Sequence, residues 1–228
     1  MDRALPDLSA PSSANWRRIA LSLGLVSILT AFAPPLAPLA NKLFAAHMAQ
    51  HVLLLAVAPP LIMLSGARTR LWQWLPRALS HPLCAWTLFN VTMIVWHIPA
   101  LYDLTLRNGA VHVLEHCLFF GTGLLYWGVV FEPARLAAWW RVAYLTTGML
   151  VGWLIALVLA FATSPLYSAY AAIPHRPGGL SAIADQQIAA GVMWVPGSLA
   201  YTVAIIVFVY RWLEPESSAR RLGLAGGS

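Results

Sequence analysis

Seven histidines occur in the 228 residues of this chain, and five fall in apolar stretches, where an ionisable side chain is costly and by default marks function. His47 and His51 stand four residues apart in AHMAQH, His112 and His116 stand four apart in VHVLEH, and His97 lies alone in WHIP. Residues at i and i+4 share one face of a helix, so two such pairs on two helices can converge on one point. Imidazole is a common ligand for zinc and copper. Glu115, Asp103 and Asp185, with the amide of Gln186, could ligate as well or orient a histidine from behind. Met48, Met93, Met193 and Cys117 offer softer ligands of the kind Cu(I) prefers, although packing is the plainer role for each. Interhelical hydrogen bonding is the bland reading of any single membrane histidine. Five of them gathered in one layer point to a metal or cofactor site.

The elements that must place these groups are membrane helices. Hydrophobic residues make up 60% of the chain and charged residues 10%, with a mean hydropathy of +0.70, whereas a soluble domain carries about 25% charged residues. Crossing about 30 Å of hydrocarbon takes roughly 20 mainly apolar residues. Six segments qualify, at about 17–36, 44–65, 82–102, 110–131, 139–163 and 184–212. Continuous apolar runs such as Leu150 to Phe161 do not alternate as β-barrel strands do. The fold class is therefore all-α, a polytopic transmembrane bundle over 17–213, with flexible flanks at 1–16 and 214–228. A cleaved signal peptide is the alternative for the first segment.

Of the 14 basic residues, Lys42, Arg107 and Arg176 fall on one side of this arrangement and the rest on the other. The positive-inside rule then puts both termini in the cytoplasm. The second and fourth segments begin, and the third ends, at the outer face. All five histidines thus fall within roughly the outer 10 Å at 1.5 Å rise per residue, together with Asp103, Glu115, Asp185 and Gln186. His175 belongs to the outer connection 164–183, and His81 to the cytoplasmic entry of the third segment. The basic residues are scattered between apolar runs, which excludes a nucleic-acid face. Two cysteines exclude a disulfide scaffold.

The runs HMAQHVLLLAVAPPLIMLSG (47–66), WHIPALYDLTLRNGAVHVLEH (96–116) and DQQIAAGVMWVPG (185–197) together resemble the CtaG-type family of bacterial cytochrome c oxidase assembly proteins. The resemblance covers about 44–212. Members are often described as seven-span proteins, against six counted here. It implies an assembly factor of the bacterial cytoplasmic membrane rather than an enzyme, a metallochaperone supplying or placing copper in the catalytic subunit of a haem–copper oxidase. Its partners would be that subunit and a periplasmic copper donor. By position, His47, His51, His97, His112, His116 and Asp185 match the polar positions of the family motifs. Zinc is the alternative metal, and an intramembrane zinc hydrolase with Glu115 or Asp185 as base is the rival function. Haem binding and a purely structural scaffold are the remaining alternatives.

Overall fold

The computed structural model describes residues 13–132 and 135–221, and among them every regular element is helical. Helix α1 (Ser13–Phe32) leads through α2 (Leu36–Ala40) into α3 (Phe44–Val52), α4 (Ala58–Ile62) and α5 (Arg68–Trp74). Then come α6 (Pro82–Trp96), α7 (Pro99–Arg107), α8 (Gly109–Phe131), α9 (Ala138–Phe161), the short α10 (Ser168–Ala171) and the long α11 (Ala182–Arg221). Several starts are written in the sequence. Pro82 and Pro99 occupy first-turn positions, where proline's missing N–H is no loss. The side chain of Asn108 accepts the N–H groups of Ala110 and Val111 at the head of α8, a standard N-cap.

Among the described residues, four stretches are long and apolar enough to cross a membrane: Phe44–Ala67, Gly109–Phe131, Trp139–Phe161 and Ala182–Tyr210. Helices α6 and α7, bent by 76° at their junction, make a fifth if taken as one broken span. The chain is thus a multi-pass membrane protein. The expected first segment, 17–36, does not reach that standard. Helix α1 ends at Phe32, and Arg17 and Arg18 interrupt its apolar run near the start. It packs along α4, and its outward residues are nonetheless apolar, Leu23, Val26 and Leu29 being exposed. Of the expected flanks, 1–12 and 222–228 lie outside the described residues, and α11 continues to Arg221.

The stretch Phe44–Ala67 carries two π-helical turns, Leu53–Val57 and Met63–Ala67. The first has a clear cause. Pro59 and Pro60 have no N–H to give the carbonyls of Leu55 and Ala56, so the helix widens just before them. The indole Nε1 of Trp127 on α8 donates to the Leu55 carbonyl at 3.2 Å. Gly123 permits the approach: a Cβ there would lie 2.9 Å from Pro59 Cγ and 3.2 Å from the Leu55 oxygen. The second π turn contains Gly66 at φ +97°, a left-handed conformation suited to glycine.

Two buried clusters fill the bundle. One is built around Phe89, Tyr126, Trp127 and Tyr201, with Phe89 stacked on Tyr126 at 4.2 Å between centroids. The other gathers Phe44, Tyr102, Tyr167 and Tyr170 beside the histidines. Helix α11 lies along both α9 and α3.

Candidate metal centre

The two histidine pairs meet. His47 and His51 project from α3 and Glu115 and His116 from α8; each of the four offers a ligand atom within 4.8 Å of the others. All four are buried. Glu115 lies between the histidines of α3, with His47 Nε2 at 3.6 Å from one carboxylate oxygen and His51 Nε2 at 3.6 Å from the other. Among the described residues neither oxygen accepts a hydrogen bond, and Nε2 of His47, His51 and His116 is likewise without a donor or acceptor partner. His112 packs at the rim, its ring 4.9 Å from His47 and 4.3 Å from His116, tilted to both, outside the four-residue group.

Hydrogen bonds behind the cluster fix its chemistry. Tyr170 donates its hydroxyl proton to the carbonyl of Ala40, and burial pushes the phenol well above its usual range, so that proton stays. The same oxygen stands 3.1 Å from His47 Nδ1 and can only accept there. The network therefore places a hydrogen of His47 on Nδ1 and turns Nε2 toward Glu115. His97 is set the same way, its Nδ1 donating to the Met93 carbonyl at 2.6 Å. A buried carboxylate with no hydrogen bond is an uncompensated arrangement costing several kcal/mol. Protons or a cation must balance it.

The residue set fits a metal ion. Three imidazoles and a carboxylate are ligands used for zinc and for copper. Two donors bound to one ion at about 2.0–2.2 Å stand at most about 4.4 Å apart, so small side-chain rotations would gather all four.

The other carboxylates expected at the site do a different job. Asp185, on α11, accepts the backbone N–H groups of Phe44 at 2.8 Å and Ala45 at 3.0 Å. It caps α3, whose own N-cap position is Leu43 and supplies no side-chain acceptor. Asp103 accepts the N–H groups of Ser168 and Ala169, each at 3.1 Å, and so fixes α10, which carries Tyr170. Gln186 ties α9 to the following connection, donating to the Leu159 carbonyl at 3.0 Å and accepting from Leu166 N at 2.7 Å. Met48 is fully buried beside His47. His97 is not among the four; Phe119 lies between it and His51, at ring distances of 6.4 Å and 4.4 Å. His175 is exposed in the 164–183 connection, and His81 precedes α6. Arg107 reaches Ser168 rather than Glu115.

Sequence reasoning missed the role of Tyr170, a residue 123 positions from His47. No local pattern signals that pairing. It also missed Met149, which shares a cavity with His51 and His97.

Comparison with known proteins agrees with the three sequence motifs. Residues 3–215 match the family described as cytochrome c oxidase caa3 assembly factor. The chain belongs to that family. Relatives of this caa3 assembly factor family member include proteins of Mycobacterium bovis and Mycobacterium tuberculosis, each named uncharacterized and 25% identical over 77% of this chain and 31% of their own length. A protein of Mycobacterium leprae, also named uncharacterized, is 24% identical over 88% of this chain and 34% of its own. The chain thus spans about a third of the length of these relatives. No solved structure matches it.

Proposed function

We propose that this protein binds copper at the His47–His51–Glu115–His116 cluster and delivers it to the catalytic membrane subunit of a cytochrome c oxidase. The observation that carries this reading is the convergence of four buried groups whose ligand atoms lack hydrogen-bond partners. Copper is cargo here, and zinc is the competing ion for the same donors. Four protein donors leave no open coordination position, the pattern of a holding site rather than of a hydrolytic one. The assignment is therefore to a metallochaperone, without turnover chemistry.

What the chain's residues contribute is specific. Glu115 supplies the negative charge that draws a cation into an apolar environment. His47 presents a fixed Nε2 lone pair because Tyr170 holds its other nitrogen. His116 also lines a cavity of about 170 Å³ between α1 and α8, with Phe32 and Cys117 at its wall. Phe32 packs 5.4 Å from the His116 ring. This is a sideways exit toward a partner in the bilayer, avoiding an aqueous step.

The proposed setting is the bacterial cytoplasmic membrane, with six crossings, both termini inside and the cluster in the outer half. A periplasmic donor would load it. Elemental analysis of detergent-purified protein tests the centre. About one equivalent of copper or zinc per chain is expected, lost when His47, His51, His97, His112 and His116 are all replaced by alanine. A folded protein that takes up neither metal would sink the reading.

A further inference from the structure

Next to the cluster lies a second chamber whose walls have a different chemistry. It encloses about 50 Å³ between α3, α6, α9 and α11 and is lined by Met48, Met93, Met149, Met193, His51 and His97, among other residues. The whole chain contains six methionines, and four of them, one from each of four helices, face this one small space. Leucine would fill such a site with less rotamer freedom, so ordinary packing does not call for methionine in this concentration. His97 brings a nitrogen to the same wall: its Nδ1 is bonded to its own helix at Met93, and Nε2 is buried without a partner. Glycines border the space as well. Gly148 and Gly152 of α9 line it, and a Cβ on Gly152 would stand 3.4 Å from the Met93 sulfur.

Thioethers suit Cu(I), whereas carboxylates suit harder ions. The chamber offers sulfur and imidazole but no carboxylate among its lining residues, while the neighbouring cluster offers imidazole and carboxylate. His51 belongs to both. We propose that the methionine-lined chamber is a separate Cu(I) site, joined to the histidine–glutamate cluster through His51. An ion passes between them by ligand exchange, thioether for imidazole and carboxylate, and remains Cu(I) throughout. No electron and no co-reactant is required. The volume admits a bare ion and excludes an organic cofactor. This proposal rests on the copper reading of the cluster, and it gives His97 a task outside that cluster.

The test uses the full chain in detergent, without oxygen, with Cu(I) supplied as its acetonitrile complex and Zn(II) in parallel. Copper-edge X-ray absorption should show sulfur neighbours in the wild type. Met93→Leu combined with Met193→Leu keeps volume; it should lower the number of sulfur neighbours and weaken Cu(I) binding by roughly tenfold or more, with Zn(II) binding unchanged. Met63→Leu, a buried methionine outside the chamber, should change neither. Glu115→Gln with His116→Asn should abolish Zn(II) binding and keep the sulfur-ligated Cu(I). Sulfur-free Cu(I) in the wild type, or an undiminished sulfur signal in the double leucine variant, would overturn the chamber and leave the cluster standing. Failure of the wild type to bind either metal would remove both.

Discussion

Glu115 is the residue on which the centre turns. Its carboxylate is wholly buried, and two imidazole nitrogens face it at 3.6 Å. Without a cation or an added imidazole proton the charge has no hydrogen-bond donor among the described residues, and an unpaired buried charge is strongly destabilising. Glu115→Gln should therefore raise the unfolding midpoint of metal-free protein, by about 1–3 kcal/mol in stability, and lower that of metal-loaded protein relative to wild type. Paired melts with and without metal check the change of sign. Tyr170 acts one step back. Tyr170→Phe removes the acceptor for His47 Nδ1 and frees both the ring's orientation and its tautomer. Metal affinity should fall about 10–100-fold, read by competition titration, while helicity stays unchanged.

At the scale of elements, helices reach the centre through caps donated from far along the chain. Asp185 holds the first turn of α3 from 141 residues away in sequence, where a carboxylate also meets the positive end of the helix dipole. Asp185→Ala should cost about 0.5–2 kcal/mol and weaken metal binding as well, because His47 sits one turn beyond the cap. A stability loss with intact affinity would show that α3 is positioned by packing alone. The contact between α8 and the Pro59 region is equally specific. Trp127→Phe leaves the Leu55 carbonyl buried without a donor, at about 1–3 kcal/mol. Gly123→Ala drives a methyl into Pro59, an overpacking that costs about 1–3 kcal/mol. Both should appear as lower midpoints in denaturant titrations in detergent.

The whole molecule sets its polar chemistry at one end. Tyr167 from the 164–183 connection donates to the His97 carbonyl at 3.1 Å, so that connection lies at the His97 end of α6, and His81 at the opposite end. The 15 residues of α6 separate the two by about 22 Å at 1.5 Å per residue. With Cys84 and Cys117 replaced by serine, His175→Cys should react with a membrane-impermeant thiol reagent on intact cells. His81→Cys should react only after permeabilisation. The reverse pattern would invert the proposed orientation.

The sequence alone determined that the chain is a helical membrane protein, because low charge and long apolar runs leave no other way to satisfy the backbone in lipid. It also determined which histidines share a helix face, since i,i+4 spacing is local geometry, and the three motifs carried the family. Tertiary structure decided the rest. Which of five histidines converge depends on how α3, α6 and α8 pack: His112 stands one turn from His116 at the rim, and His97, at the end of α6, is held to its own helix. Whether a carboxylate meets imidazoles or caps a helix depends on which groups come within reach: Glu115 faces imidazoles, while Asp103 and Asp185 meet free N–H groups of α10 and α3. The methionine chamber exists only where four helices meet. Spacing along a chain fixes neighbours within one helix, and only packing fixes neighbours between helices.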